Sequence, residues 1–237
     1  NMAIKPEIKS AEIFKSNPKL AEELRKIGFG AVVVGQQDGI VRGTTALVSL
    51  ADGIENEILL KPEISNNFSL DKGSSTQTYP VSIMGSVALL RQTYYDAQWY
   101  KTSTTERNLS LDAFNKNLAF PAVFHSKNLF DVLRAGKVAK EFGFKYIIKS
   151  GGDEYQKITE IKDLGAHLIV PVNFPKALDV EDPMDAENVT LTELKHWEMA
   201  PSNLAQLANN KIEFSITAND LSDKSLFFTN LKKAISH

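Results

Sequence analysis

The sequence has no cysteine among its 237 residues. This absence excludes disulfides, thiol catalysis and zinc or iron–sulfur sites with cysteine ligands. An excess of one charge is also lacking, because 27 basic and 29 acidic residues are spread along the chain with a formal net charge of −2. Without a basic stripe, nucleic acid is not expected as a partner. No apolar run is long enough to span a bilayer, and residues 1–20 do not resemble a secretory signal.

The composition is that of a globular protein, with 43% hydrophobic and 24% charged residues. Residues 11–27 carry apolar side chains at helical spacing and predict an amphipathic helix, with Pro18 near its start and Gly28 after its end. Strands are predicted for GAVVVGQQDG, which we expect to be buried, and for TTALVSLADG and EILLKPEI. The polar segment NNFSLDKGSSTQTYP predicts a loop, and VSIMGSVALLRQTYYDAQWYK predicts a long helix.

Beyond residue 120 the pattern becomes a regular alternation of strands and helices. Phe124, Ile147 and Ile169 lie in the middle of three apolar strands, 23 and 22 residues apart. This period is typical of strand–helix units whose strands pair in parallel, as in a (β/α) barrel or a doubly wound sheet. A complete barrel typically needs about 250 residues, and only six or seven strands are predicted here. We therefore expect residues 1–237 to form a single, incomplete barrel domain with a Pro- and Asp-rich insertion near 173–189.

Two polar residues follow predicted strands, where α/β proteins commonly bind ligands. His125 ends the strand PAVFH and is a candidate metal ligand or base, the alternative being a polar residue that only meets solvent. Asp220 follows the strand KIEFSIT and can act as a base or a metal ligand. Its alternative role is a helix cap, which Asn219 or Asp223 could also provide.

The stretch KSGGDEY joins a strand to a helix through two glycines. A glycine turn at a helix start can bind phosphate, but Asp153 and Glu154 would repel an anion there, so we reject a phosphate site. Lys149, at the end of that strand, is a candidate amine base or nucleophile. A lysine on the surface is the alternative interpretation.

Four stretches taken together resemble the amidohydrolase superfamily, in its imidazolonepropionase-like branch. They are LRKIGFGAVVVGQQDGIVRGTTALVSLADG, YPVSIMGSVALLRQTYYDAQWY, FHSKNLFDVLRAGKVAKEFGFKYII and FSITANDLSDKSLFFTNLKKAISH. Their order and spacing are more specific than any one of them, and the resemblance runs through most of the chain.

The resemblance implies a metal-dependent hydrolase on a (β/α) TIM-barrel-like fold. In such enzymes a divalent metal, commonly zinc, activates a water that attacks an amide or other C–N bond of a small-molecule or peptide-like substrate. His125 corresponds to a metal ligand, and Asp220 corresponds to the carboxylate that binds metal and takes the proton. From their positions, Gln37, Arg42 and Lys149 are predicted to contact the substrate.

The sequence also departs from this family. It lacks the His-x-His motif of the first metal-binding strand and the small β-sandwich, and Lys149-Ser150 stands where a second histidine is expected. Asn219 could occupy the aligned position of Asp220. We therefore expect an internal fragment of a metal-dependent hydrolase, inactive by itself, with the metal bound in the longer parent protein.

Two other functions remain open at this point. A non-catalytic, barrel-derived binding or scaffold domain that has lost its metal site is favoured by Lys149-Ser150, and a complete small α/β enzyme could use Lys149 itself. An incomplete barrel would expose strand edges, which favour self-association. The compartment is not assigned, and a secreted or periplasmic parent is compatible with the sequence.

Overall fold

The first half of the chain contains antiparallel and parallel strand pairs, and the second half contains a further parallel pair. The computed structural model describes residues 2–102 and 106–237. It divides into two compact units. Unit 1 runs to Ser126 and includes Arg134–Ile148, whereas unit 2 contains Lys127–Leu133 and Lys149–His237.

The elements are numbered in chain order. The strands are β1 (Ala31–Val34), β2 (Val41–Ser49), β3 (Leu59–Ser69), β4 (Ala122–His125), β5 (Tyr146–Lys149), β6 (His167–Pro171) and β7 (Phe214–Thr217). The α-helices are α1 (Ser10–Ile13), α2 (Pro18–Lys26), α3 (Glu55–Ile58), α4 (Ile83–Tyr100), α5 (Leu109–Asn117), α6 (Leu129–Phe142), α7 (Ile158–Leu164), α8 (Pro183–Asn188), α9 (Leu191–Met199), α10 (Asn203–Asn209) and α11 (Phe227–Ser236). Short 3₁₀ helices cover Glu154–Lys157, Ala200–Ser202 and Lys224–Leu226.

Unit 1 is built on an antiparallel meander that continues into parallel strands. Strand β2 pairs antiparallel with β1 and with β3, and β4 pairs parallel with β3. In this parallel register Asn66 lies opposite Ala122, and Ser69 lies opposite His125. The carboxyl ends of β3 and β4 therefore meet at one edge of the sheet, and their amino-terminal parts lie toward the other.

An aromatic core covers one face of this sheet. Phe68 and Phe124 are fully buried, and each ring packs against Tyr146, with centroids 5.4 and 4.8 Å away. Tyr94 of α4 and Phe114 of α5 pack on the same cluster. Because side chains alternate along a strand, the neighbours of Phe68 and Phe124 point to the opposite face.

Several helix boundaries agree with the sequence prediction, although residues 14–17 interrupt the helix predicted for residues 11–27. Helix α2 begins at Pro18, and the Asn17 side chain accepts a hydrogen bond from the Leu20 N–H. Helix α6 is capped by Asn128, whose side chain accepts from the Asp131 N–H at 3.1 Å. The helix ends before Gly143, which has a φ of 75° that suits glycine.

Two strand predictions differ from the structure. The segment NNFS, expected to begin a loop, is the end of β3, because the Asn66 N–H donates to the Pro121 carbonyl at 2.8 Å and Phe68 enters the core. Strand β1, expected to be buried, lies at the end of the strand order, and 55% of Val33 is exposed.

Unit 2 contains the parallel pair β6 and β7, with Leu168 opposite Phe214 and Pro171 opposite Thr217. Leu168 and Leu207 of α10 are fully buried in it. Strands that alternate with helices in both units confirm the α/β class, while a TIM-barrel hydrolase fold remains a prediction. Among the described residues, no helix is long and apolar enough to cross a membrane.

Gly43 provides a test of how the amino-terminal segment packs on β2. Its φ is 75°, and a Cβ added there would lie 1.9 Å from the Ile8 carbonyl oxygen, which accepts from the Thr44 N–H. Gly28 also has a positive φ, but its Cβ would meet nothing within 4 Å. We expect Gly28→Ala to cost about 1–2 kcal/mol for the left-handed backbone alone. Gly43→Ala should cost more than about 3 kcal/mol because the backbone must also move.

Urea unfolding of both variants and the wild type measures this difference through the shift of the midpoint. Equal losses in the two variants would contradict the close approach of residues 8 and 43.

Candidate functional site

His125 lies where the sequence predicted it, at the carboxyl end of β4. It is half-buried and pairs in register with Ser69. Since Phe124 enters the aromatic core, His125 points to the opposite face of the sheet. The next residue, Ser126, is buried, and its hydroxyl has no hydrogen-bond partner among the described residues. The role of His125 as a metal ligand or base stays a prediction.

Gln37 and Arg42 contact each other in unit 1. Arg42 lies in β2 and is 4% exposed, and its Nη1 lies 3.3 Å from the Gln37 Oε1. Its Nε donates to the Gly39 carbonyl at 2.8 Å. Burial lowers the pKa of the guanidinium from its ordinary value, and the charges of Asp71 and Asp38 oppose that shift. Both named contacts of Arg42 thus hold residues 37–39 against β2, and substrate binding by this pair stays a prediction.

Asp38 was not singled out in the sequence, although it organises this part of unit 1. It forms an ion pair with Lys5 and accepts hydrogen bonds from the N–H and the hydroxyl of Ser74. The Lys5 bond, followed by the two Ser74 bonds, holds the pKa of the Asp38 carboxyl well below its usual range. These partners are more than thirty residues away in the chain, so no local pattern indicates them.

Lys149 and Asp220 form an ion pair in unit 2. Lys149 ends β5 with its side chain only 13% exposed, and Asp220 follows β7 in a left-handed conformation with a φ of 65°. Capping is done instead by Asp223, whose carboxylate accepts from the Ser225 N–H at 2.9 Å. Lys149 and Asp220, which the sequence indicated as independent candidates, are therefore partners. The lysine supplies the positive charge beside Asp220.

The described donors do not by themselves fit a metal ion. No group of three or more His, Asp or Glu side chains among the described residues could hold one. A catalytic zinc usually needs three protein ligands. In addition, a cation at the Asp220 carboxylate would compete with the Lys149 ammonium for it.

A carboxyl group whose burial the sequence did not predict begins the 3₁₀ helix after β5. Glu154 is fully buried, and its Oε2 accepts from the Asn203 Nδ2 at 2.6 Å. Its Oε1 accepts from the Gly152 N–H at 3.2 Å, and the Asn203 Oδ1 accepts from the Tyr155 N–H at 2.8 Å. Burial raises the pKa of Glu154 above its ordinary value, although the Asn203 bond acts in the opposite direction.

Tyr155, the residue after Glu154, contacts a histidine of α9. The Tyr155 hydroxyl lies 3.0 Å from the Nδ1 of His196 in α9, and the two rings are stacked. Asp153 adjoins them, and burial raises the pKa of its carboxyl despite the nearby His196. The sequence predicted Asp153 and Glu154 for a first helical turn and did not indicate their burial, since contacts with helices 40 to 50 residues away leave no local signal.

Comparison with known proteins supports the fold alone. No family model matches the chain, and no curated protein matches it. Among solved structures, an amidohydrolase from Thermotoga maritima MSB8 matches with a TM-score of 0.72 and 17% sequence identity, covering 99% of this chain. The chain spans 62% of the length of that protein. The likeness supports an amidohydrolase-like fold, and the imidazolonepropionase-like branch stays a prediction.

The raised pKa of Glu154 predicts a pH dependence of stability in unit 2. A carboxyl group whose folded pKa exceeds its unfolded value binds its proton more tightly when folded. Its contribution is fully present below its ordinary pKa of 4.5 and is lost as the pH rises through the folded value. In Glu154→Gln we expect this loss to be reduced, with Asp153 leaving a residual dependence of the same sign.

Urea unfolding at pH values below and above the pKa of Glu154 measures how the free energy of unfolding depends on pH. The control is Glu160→Gln, because Glu160 is exposed and its bond from Lys157 lowers its pKa. In Glu160→Gln the free energy of unfolding should fall with rising pH as it does in the wild type. Identical pH profiles for Glu154→Gln and the wild type would show that burial of Glu154 does not govern this slope.

Proposed function

We propose that this chain is part of an amidohydrolase-type hydrolase that cleaves an amide or other C–N bond of a small-molecule or peptide-like substrate. The observation that carries the proposal is the fold, which matches a solved amidohydrolase over 99% of the chain. In addition, His125, Lys149 and Asp220 each lie at or after the carboxyl end of a strand, where α/β enzymes bind substrates. Because the chain spans 62% of that protein, the activity is proposed for a longer protein that contains it.

Asp220 is the residue that we propose as the base. Its carboxylate would accept the proton of a water molecule that attacks the carbonyl carbon, and would then return it to the leaving amine. Lys149 would hold that carboxylate in place through their ion pair. His125, at its strand end in unit 1, remains a candidate metal ligand or base. Gln37 and Arg42 remain candidates for substrate contact.

The proposal includes a divalent metal, expected to be zinc, only if residues outside the described ones supply additional ligands. His125 and Asp220 are the candidate ligands in this chain, and a bound metal would supply an activated water. Since the described donors do not complete a site, we expect the chain alone to lack tightly bound zinc.

A second candidate function is a non-catalytic, barrel-derived binding or scaffold domain. The ion pair between Lys149 and Asp220 favours it, because the carboxylate that a metal would need is already matched by a lysine. The two candidates differ in turnover, since a binding domain hydrolyses no amide.

Turnover of an amide substrate by the full-length protein is the test of the first candidate. Asp220→Asn should lower kcat by about 10²–10⁴-fold while the protein stays folded, since it removes the proposed base. The matched control is Asp223→Asn, which changes an exposed carboxylate whose named contact is the cap to Ser225. Equal turnover in Asp220→Asn and the wild type would exclude the proposed base, and no turnover by the wild type across an amide panel would favour the binding domain.

Zinc content of the purified chain, after loading and dialysis, tests the metal separately. We expect well under one zinc per chain in the wild type and in His125→Ala, because the described residues provide too few ligands. His167→Ala, at the amino end of β6, serves as the histidine control. Roughly stoichiometric zinc that disappears only in His125→Ala would show instead that the chain carries its own metal site.

A further inference from the structure

Unit 1 contains a cavity of about 310 Å³ that the proposed function does not use. Residues of α4 and α5 line one side, and Pro121 and Ala122 at the start of β4 line the other. Phe144 and Lys145, just before β5, complete this part of the wall. The cavity thus lies at the amino ends of these strands, whereas His125 lies at the carboxyl end of β4.

Asn66 brings a buried amide without partners to this cavity. The residue is 1% exposed, and neither its Nδ2 nor its Oδ1 has a hydrogen-bond partner among the described residues. Its neighbour Asn67 donates to the Gln36 carbonyl on the opposite face of the sheet. Phe68, two residues on, shares the face of Asn66 and packs on Tyr94, which lines the cavity. The Asn66 amide therefore lies on the cavity side of β3.

Asn115 of α5 adds an unused acceptor to the same lining. Its Nδ2 donates to the Ala97 carbonyl at 3.0 Å, but its Oδ1 is buried without a partner among the described residues. A buried polar group without a hydrogen bond costs about 1–3 kcal/mol. A ligand amide would remove this cost, since its carbonyl can accept from the Asn66 Nδ2 and its N–H can donate to one of the two free oxygens.

The aromatic and basic residues of the lining indicate which other groups the ligand carries. The aromatic rings of Tyr94, Phe142 and Phe144 line the cavity, and those of Tyr94 and Phe142 are stacked 4.6 Å apart. Such rings favour a planar group packed against the wall that they form. Lys101 and Lys145 add two positive charges with exposed side chains, and no Asp or Glu is among the described lining residues. These charges favour a ligand with a carboxylate.

From these observations we infer that the cavity is a binding site for a small planar amide that carries a carboxylate, of the N-acyl amino acid class. The Asn66 and Asn115 side chains pair with the amide, the aromatic rings hold the acyl group, and Lys101 and Lys145 bind the carboxylate. The volume suits such a ligand, because small-molecule pockets of about 300–1,000 Å³ are common. This site is separate from Lys149 and Asp220 and does not depend on the proposed hydrolase activity.

The test uses hippurate, which is N-benzoylglycine, titrated into the ¹⁵N-labelled chain. The NMR signal of the Asn66 side-chain amide, assigned by its absence in Asn66→Leu, should shift and saturate with a Kd of about 1 mM or tighter. Hippuramide, which lacks the carboxylate, and N-benzoylsarcosine, which lacks the N–H, should each bind at least about 5-fold more weakly.

Substitutions of residues that line the cavity test independently whether hippurate binds there. Asn66→Leu should abolish it, and Lys145→Gln, which changes an exposed side chain and should fold normally, should weaken it about 5-fold or more. The control is Lys116→Gln, an exposed lysine of α5 outside the lining, which should leave the Kd unchanged. The inference is overturned if no saturable shift of the Asn66 amide occurs up to about 10 mM hippurate. It is also overturned if Lys145→Gln binds like the wild type.

Discussion

The parallel register between β3 and β4 is the constraint on which unit 1 depends. It places Phe68 beside Phe124, so that both rings enter one aromatic core, and it places Ser69 beside His125 at the carboxyl ends. A shift of β4 by one residue would turn Phe124 to the opposite face. It would also bury His125 among the aromatic rings, so the packing of the core and the position of the candidate residue are specified together.

The carboxyl groups of this chain are compensated in two different ways. In unit 1 the Asp38 carboxylate stays ionised through Lys5 and Ser74, and it holds two loops together. In unit 2 the buried Glu154 is matched by the neutral amide of Asn203, so protonation and burial favour each other there. The Lys149–Asp220 pair belongs to the first kind, because a full opposite charge compensates the carboxylate.

Local patterns were sufficient to predict the strand–helix alternation after residue 120, the cap at Asn128 and the strand-end position of His125. They failed at Asn66, because asparagine disfavours strands by itself and pairing with Thr44 of β2 and Ala122 of β4 keeps it in β3. They also failed at Glu154, whose burial depends on Asn203, 49 residues away. The pair of Lys149 with Asp220 joins residues that are 71 positions apart, and no local spacing in the sequence indicates it.

The double role of Asn203 has a consequence for how this sequence can change over time. One amide group both donates to Glu154 and accepts from the backbone of Tyr155, so it joins the loop after β5 to α10. An apolar residue at position 154 would leave the Asn203 Nδ2 without its acceptor, and an apolar residue at 203 would deprive the buried Glu154 carboxyl of its Asn203 donor. The two positions are thus expected to covary among relatives, and a replacement at position 203 must also supply an acceptor for the Tyr155 N–H.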